Sequence, residues 1–239
     1  MNNYQFLEDY KELQYSIMFD KIINLPFGSI SYCANEESAF WNQALVNQEL
    51  NQQQLKLIET TLKKLKRQPA VYFENRNSLK PLIKFLLKHN YQHYFEDCWL
   101  FHPGRKINTE QFDNVKKVLT ERELGIFLKT FDACFQKDDP QNPYGELGDY
   151  LKMAEKVWHR HQATNRVEYF TVYSKAEPVG VSTLTNFKQI GYISNVGSLR
   201  KVRGQGFGKL ATEDGTYPHE FYQRIGFVKK FSAVCYLKK

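Results

Sequence analysis

Three patterns that would narrow the function at once are missing from this sequence of 239 residues. No apolar run approaches the roughly 18 residues of a membrane-spanning helix, so we expect no membrane span. Residues 1–4 are not followed by the apolar core of a secretory signal, so we expect a cytoplasmic protein. The cysteines Cys33, Cys98, Cys134 and Cys235 are far apart and form no C-x-x-C pair, which favours buried free thiols over disulfides.

The sequence also has little that predicts a metal or nucleic-acid site. His159 and His161 are two positions apart in a helical pattern, where their side chains diverge, so we expect no metal. The net charge of +7 is compatible with anionic partners, but no nucleic-acid-binding motif accompanies it. Nucleic-acid binding is therefore the weakest functional hypothesis. A hydrophobic content of 42% indicates a globular chain, with room for one or two domains.

The most informative motif is the glycine-rich stretch V-R-G-Q-G-F-G-K-L at residues 202–210, which follows a strand-like run. Because glycines have no side chain, a ligand can approach the backbone closely just before the helix-like start. This arrangement favours phosphate binding by backbone N–H groups. Leu210 stands where a Walker A loop needs Ser or Thr, and the glycine spacing does not fit a dinucleotide fingerprint. The pattern that fits is R-x-x-G-x-G, formed by Arg203, Gly206 and Gly208. A turn without a ligand is the alternative.

A second motif, Y-x-x-x-G-F, is formed by Tyr222, Gly226 and Phe227 before a strand-like segment at 231–237. An expected hairpin at 168–184 and a strand at 191–199 precede the glycine loop. In this order, residues 115–239 resemble the GNAT superfamily of N-acetyltransferases. The resemblance implies a mixed α+β fold of the α/β type, with a central, mostly antiparallel sheet flanked by helices.

The resemblance also implies an enzyme, an acyl-CoA-dependent N-acetyltransferase that uses acetyl-CoA to acetylate an amine of a small molecule or protein. The residues that it implies for binding acetyl-CoA are Ser198, Leu199, Arg203, Gly204, Gln205, Gly206, Phe207, Gly208 and Lys209. Tyr222 matches the family tyrosine that gives a proton to the departing thiolate, with core packing as the alternative role. Tyr144 and Glu146, between the first two helices of this half, are candidates for contact with the amine.

We predict two domains, residues 1–107 and 108–239, separated by a turn-rich basic segment near 102–106. In the first, strands at 28–33 and 70–73 and helices at 52–66 and 79–88 alternate. The helix, the sequence Lys88-His89-Asn90-Tyr91 and a following strand are similar to the end of the second half. The first domain is thus predicted to be a degenerate second copy of the GNAT fold without a glycine loop. The alternative is an N-terminal extension of mixed α and β structure.

The spacing between Leu210 and Tyr222 departs from the family pattern. The family places the rest of a helix and a strand there, which need about 17 residues, but the numbering advances by only twelve. This shortening supports an alternative function, a non-catalytic GNAT-like CoA-binding or structural module. It also leaves open a strand supplied by the other half or by a homodimer partner. Candidates for a general base are Glu146, Glu168, His219 and Glu220.

Overall fold

The computed structural model describes residues 2–104, 113–140, 142, 145–188, 190–203, 222–223 and 226–239. The chain divides into two compact units. The first contains Met1–Pro103 with Thr212–Lys239, and the second contains Gly104–Ala211. The sequence placed the boundary near residue 107 and residues 212–239 in the second domain. The structure groups those C-terminal residues with the first unit, because their strand forms backbone hydrogen bonds there.

The first unit contains both helices and strands. They are α1 (Asn3–Gln14), β1 (Lys21–Leu25), β2 (Gly28–Tyr32), β3 (Ala44–Val46), α2 (Gln52–Lys64), β4 (Ala70–Glu74), α3 (Lys80–Lys88), β5 (Tyr91–Phe101) and, from the C-terminus, β10 (Val228–Lys238). The strands form one sheet in the order β1-β2-β3-β4-β10-β5. Only β3 and β4 are parallel neighbours; the other neighbouring pairs are antiparallel.

Both faces of this sheet are covered by apolar side chains. On one face, the leucines of α2 and α3 pack on Val71, Phe73 and Val234. On the other, Leu7 of α1 packs with Tyr72 and Cys235. Alternate residues of β4 and β10 therefore belong to different cores, as the two-residue period of a strand requires.

Strand β10 occupies the place between β4 and β5. It pairs with β4 from Ala233 to Leu237 and with β5 from Val228 to Lys238, antiparallel to both. The two flanking strands are thus parallel to each other without touching through their backbones. A strand from the far end of the chain completes the sheet of the first unit.

Helix α1 carries a buried polar cluster on its sheet-facing side. The Lys11 ammonium donates to the Ser29 carbonyl oxygen (2.8 Å) and hydroxyl oxygen (2.9 Å). The Ser29 hydroxyl lies 3.0 Å from both Glu8 carboxylate oxygens, and the Tyr4 hydroxyl donates to Glu8 (2.6 Å). Burial lowers the pKa of Lys11 to about 7, against the opposing effect of the Glu8 charge.

The second unit has a four-stranded antiparallel sheet and two helices. Its elements are β6 (Val115–Lys117), α4 (Glu121–Cys134), α5 (Asp149–His161), β7 (Val167–Ser174), β8 (Glu177–Phe187) and β9 (Ile190–Ser198), with the sheet order β6-β7-β8-β9. Helix α4 begins with a capping box: the Thr120 hydroxyl accepts from the Glu123 N–H, and the Glu123 carboxylate accepts from the Thr120 N–H. The Tyr169 ring stacks on Phe127 (4.4 Å between centroids) and fixes α4 on the sheet.

The fold class expected from the sequence, mixed α+β with a mostly antiparallel sheet and flanking helices, is confirmed. Within the part of the chain that the structure describes, no helix combines the length and the apolar character that crossing a membrane requires.

Removal of residues 228–239 is expected to unfold the first unit, because β4 and β5 would both lose their shared neighbour. The protected amides of β4 and β5 should then exchange with solvent at rates close to those of an unfolded chain, measured by hydrogen exchange with mass spectrometry. Val228→Ala is the control, since this side chain is exposed, and it should leave protection unchanged. Retained protection of β4 in the truncated chain would contradict the assignment.

Lys11 is expected to make stability depend on pH. The unfolded lysine has a pKa near 10.5 and the folded one near 7, so between these values the unfolded state binds more protons. Stability should therefore rise from pH 7 towards pH 10 in thermal unfolding, and Lys11→Met should remove most of this rise. Lys56→Met, at an exposed position of α2, is the matched control. An unchanged pH profile in Lys11→Met would contradict the role of this lysine.

Candidate functional site

The predicted site begins where β9 ends. Ser198 is the last residue of this strand and is buried, and the Leu199 N–H donates to the Val179 carbonyl oxygen of β8 (2.9 Å). A short 3₁₀ turn, Arg200–Val202, then leads to Arg203. The end of the strand is therefore anchored to its neighbour immediately before the glycine-rich segment.

A β-bulge lies three residues before this end. Ser194 pairs with Thr183 and Gly197 with Val181, so two residues of β9 stand opposite one residue of β8. Asn195, inside the bulge, has a φ of 52°. Its side-chain amide accepts from the Tyr150 hydroxyl (3.0 Å) and donates to the Thr183 hydroxyl (3.2 Å). A bulge of this kind bends a strand and redirects its backbone groups.

Gly197 allows the end of α4 to approach the bulged strand. A β-carbon at this position would lie 2.8 Å from Cys134 Cβ and 2.9 Å from Phe135 Cε2. Contacts below 3 Å do not occur without a shift of the backbone or the helix. The glycine is thus needed for packing between β9 and α4.

Arg203 is held by an acidic residue of the α4–α5 connection. Its Nη1 donates to Asp139 Oδ1 (2.8 Å), its Nη2 to Asp139 Oδ2, and its Nε to the Ser198 carbonyl oxygen (3.3 Å). The Asp139 side chain is only 2% exposed, and the Arg200 Nε lies 3.5 Å from it. These bonds fix the Arg203 side chain between the end of β9 and the α4–α5 connection.

The substrate and cofactor residues are only partly described. Glu146 is exposed in the α4–α5 connection, close in sequence to Asn142, whose side-chain amide donates to the Gly145 carbonyl oxygen (2.7 Å). Tyr144 lies outside the described residues. The same holds for Gly204, Gln205, Gly206, Phe207, Gly208 and Lys209. The structure thus brings together Ser198, Leu199 and Arg203 with the α4–α5 connection.

The Y-x-x-x-G-F motif terminates a helical turn. The Phe227 N–H donates to the Tyr222 carbonyl oxygen (2.9 Å), and the Gly226 N–H to that of Gln223 (3.1 Å). Gly226 has a φ of 98°, and the rings of Tyr222 and Phe227 are in contact at 5.1 Å. Together these are the two hydrogen bonds, the left-handed glycine and the apolar contact of a Schellman motif.

The Tyr222 ring is packed against Phe227 of the same motif. Its side chain is buried, and it belongs to the first unit, whereas Ser198, Leu199 and Arg203 belong to the second. The observed packing matches the structural role that the sequence left as an alternative. Packing of the Tyr222 ring is compatible with a chemical role of its hydroxyl group.

Among the candidates for a general base, Glu168 has a structural explanation. Its Oε1 forms an ion pair with the Lys117 ammonium, and its Oε2 accepts from the Asn186 side-chain amide (3.4 Å). Glu146 is exposed, while His219 and Glu220 lie outside the described residues. Among the described residues, no group of three or more His, Cys, Asp or Glu side chains could hold a metal ion.

Three of the four cysteines have thiols that are poor nucleophiles. Cys134 lies against Gly197 and is buried, and burial raises its pKa to about 12, although Arg203 acts in the other direction. The pKa values of Cys33 and Cys235 are also raised by burial. A thiol with so high a pKa remains protonated at neutral pH and is a poor nucleophile.

The turn between β3 and α2 in the first unit is less suited to an anion. There β3 leads into α2, whose N-terminal Asn51 and Gln54 satisfy each other's backbone N–H groups in a capping box. The preceding turn carries the exposed Glu49 and no glycine, and Arg76 donates to the Asn47 carbonyl oxygen (3.1 Å) and side-chain oxygen (2.9 Å). An anion there would meet the negative charge of Glu49, and two N–H groups at this helix end, those of Asn51 and Gln54, already have acceptors.

Three residues near the end of β9 were not predicted as functional from the sequence. They are Tyr150, Asn195 and Asp139, which lie on three separate elements. The sequence offered one signal, the pair Asp138-Asp139 in a loop that must end near the basic residues after β9. The bulge itself has no signal in the sequence beyond the glycine at position 197.

Comparisons with solved structures agree with the architecture along most of the chain. A functionally unknown conserved protein from Staphylococcus epidermidis matches with a TM-score of 0.63 at 16% identity, over 93% of this chain and 94% of the other. A GCN5-related N-acetyltransferase from Kribbella flavida matches with 0.60 at 14% identity, over 96% and 94%. A tandem GNAT protein from the clavulanic acid biosynthesis pathway matches with 0.52 at 8% identity, over 99% and 95%.

No protein-family model and no curated protein matches the sequence. The similarity of this chain to known proteins is therefore seen in the solved structures, and at these identities it shows the fold alone. The chain has the fold of the GCN5-related N-acetyltransferases, and its length agrees with that of a tandem member.

Asp139→Asn is expected to destabilise the second unit by about 3–5 kcal/mol, because Arg203 would keep its charge in a largely buried position without its partner. Asp138→Asn is the matched control, since its side chain is 78% exposed, and it should stay within about 0.5 kcal/mol of the parent. Urea unfolding followed by hydrogen exchange of β9 measures both. Equal effects of the two variants would show that the buried ion pair has no special role.

Proposed function

We propose that this chain transfers an acyl group from acetyl-CoA to an amine of a small molecule or protein. The observation that carries the proposal is the bulged end of β9, which leads directly into the R-x-x-G-x-G sequence. In the sheet order of the described residues, β9 is an edge strand. An edge strand offers backbone groups to an extended partner, and the amide-bearing pantetheine arm of CoA is one.

The cofactor phosphates would bind at the loop that follows. Backbone N–H groups of residues 205–209 are the donors we propose for the pyrophosphate, and the helix-like start that the sequence predicts after them would add its dipole. Arg203 would fix the beginning of this loop through Asp139 and the Ser198 carbonyl oxygen. The guanidinium, paired with Asp139, would then stand at the start of the proposed phosphate-binding loop.

The chemistry we propose is direct attack by a neutral amine on the thioester carbonyl. Backbone N–H groups near the bulge would polarise that carbonyl, as donors in an oxyanion hole do. The amine loses a proton, and the thiolate of CoA gains one. Tyr222 is the proposed donor to the thiolate, because a phenol is protonated at neutral pH. The buried Cys134 thiol, whose pKa is raised to about 12, supports a mechanism without an acyl-cysteine intermediate.

Two further proposals concern the residues that contact the amine and the cellular compartment. Tyr144 and Glu146, in the α4–α5 connection, are proposed to contact the amine, since Asp139 of that connection ties it to the β9 end. Buried free cysteines suit a reducing compartment such as the cytoplasm.

A non-catalytic CoA-binding or structural module is the second candidate. It is favoured by the pairing of Arg203 with Asp139, and by a Tyr222 that belongs to the other unit and closes a helical turn. Such a module would keep the ligand site and lack turnover, so binding and catalysis must be measured separately.

Acetyl-CoA is expected to raise the unfolding temperature in a saturable way, with CoA also active and a plain nucleotide inactive. At 100 times its Kd a ligand stabilises by about 2.7 kcal/mol, a readily measured shift. Gly206→Glu should abolish the shift by placing a carboxylate where the phosphates bind. An unchanged shift in Gly206→Glu would disprove the proposed loop, and no shift in the folded parent would disprove CoA binding.

Turnover then separates the two candidates. In an acetylation assay over a panel of amines, Tyr222→Phe should keep the acetyl-CoA shift and lose activity about 100-fold, as expected for loss of a general acid. Tyr94→Phe, at an exposed position, is the control and should keep full activity. Binding without turnover of any amine would support the non-catalytic module.

A further inference from the structure

The bulge of β9 contains a left-handed residue inside a strand. Seven described residues with side chains have a positive φ, and six of them lie between secondary-structure elements. The seventh is Asn195, which has a φ of 52° and lies within the bounds of β9. This conformation costs energy for a residue with a β-carbon, and it persists where the surrounding structure fixes it.

We propose that Asn195 is a positioning residue: its side chain holds the bulge of β9 and, with it, the backbone N–H groups that would polarise the thioester carbonyl. The inference rests on the proposed function, because it concerns the strand that would bind the pantetheine arm. It adds a residue that fixes this strand and a connection from the strand to the amine side of the site.

The Asn195 side chain is bound to two different elements. Its oxygen accepts from the Tyr150 hydroxyl of α5 (3.0 Å), and its amide donates to the Thr183 hydroxyl of β8 (3.2 Å). Thr183 is buried and pairs with Ser194, the residue directly before Asn195. The side chain thus joins the neighbouring strand and a helix at the place where the regular pairing of β9 is interrupted.

Tyr150 is itself fixed where the α4–α5 connection becomes a helix. It is the second residue of α5, and its N–H donates to the Leu147 carbonyl oxygen (2.9 Å). Its ring meets the buried Phe131 of α4 edge-on, with 6.0 Å between the centroids. Leu147 directly follows Glu146, which is a proposed contact of the amine. The bond from Tyr150 to Asn195 therefore links the amine side of the site with the strand proposed to hold the thioester.

The far end of the bulge is fixed by packing. Gly197 lies against Cys134 and Phe135 at the end of α4, where a β-carbon has no room. It also resumes the pairing with β8, opposite Val181. The bulge is thus held at one end by close packing and in its middle by the Asn195 side chain. Removal of this side chain would leave the packing at Gly197 in place and release the middle of the bulge.

A simpler explanation is that Asn195 only satisfies two hydroxyl groups. Buried hydroxyls do need a hydrogen-bond partner. A polar side chain in an ordinary extended strand can provide one, however, so this need does not explain a left-handed backbone. The bulge and the left-handed residue are explained together if the backbone of β9 must be redirected at this point.

Hydrogen exchange with mass spectrometry tests whether the side chain holds the bulge. Asn195→Gly removes both side-chain bonds and keeps the left-handed backbone accessible, since glycine adopts it at little cost. Tyr150→Phe removes one hydroxyl and keeps the ring. In both variants of the full chain, the amides of residues 194–197 should exchange about tenfold faster, as loss of a hydrogen bond implies.

Asn165→Gly is the matched control. Asn165 has a φ of 51°, and its side-chain oxygen accepts from the Lys117 ammonium (3.1 Å). The same substitution is therefore made at the same backbone conformation in the same unit, at an exposed position outside the site. It should leave the exchange of residues 194–197 and the acetylation rate unchanged.

Turnover tests the positioning role. In the acetylation assay, both variants should lower kcat about 10–100-fold and keep KM for acetyl-CoA within about twofold, because displaced groups lose interactions made in the transition state. Tyr150→Phe combined with Asn195→Gly should be no slower than Asn195→Gly alone, since the hydroxyl acts through Asn195.

The outcomes separate this inference from the proposed acyl transfer. Unchanged exchange in Asn195→Gly, or equal changes in Asn165→Gly, would overturn the inference. So would faster exchange with unchanged kcat in an active parent, which shows a structural role only, or a raised KM at unchanged kcat. If the parent acetylates no amine, the proposed acyl transfer fails. The exchange rates of residues 194–197 then decide alone whether Asn195 holds the bulge.

Discussion

The fold of the first unit depends on the backbone hydrogen bonds that β10 makes on both of its sides. Its neighbours β4 and β5 are parallel to each other, and an antiparallel strand between them satisfies the donors and acceptors of both. The two hydrophobic cores on either face then share residues of β10, with Val234 in one and Cys235 in the other. Neither core is complete without this one strand, so packing and hydrogen bonding fail together if it is absent.

The local signals in the sequence predicted most elements that bear on the site. The hairpin at 168–184 and the strand before the glycine loop are found within a few residues of their expected bounds. Both rest on interactions between neighbours in sequence, namely alternating burial and turn residues. The glycine of Y-x-x-x-G-F is likewise explained locally, because only a residue without a side chain adopts its φ of 98° at little cost.

What the sequence could not predict depends on partners distant in the chain. Helix α1 was missed because its sheet-facing side includes Lys11, which reads as solvent-exposed until the Ser29 hydroxyl and carbonyl are seen beside it. The buried pairing of Arg203 with Asp139 joins residues 64 positions apart. The strand expected near the C-terminus is present, but its choice of neighbours in the first unit has no local signal. The proposed cofactor and acceptor residues remain predictions.

The position of β10 also has a consequence for synthesis. Roughly 125 residues separate the end of β5 from the start of β10, and a ribosome adds about 5–20 residues per second. For about 6–25 s, therefore, the nascent first unit has two strand edges awaiting one partner while the second unit is being made. Unpaired edges attract other chains. The place of β10 at the end of the chain thus prolongs the interval in which these edges are exposed during synthesis.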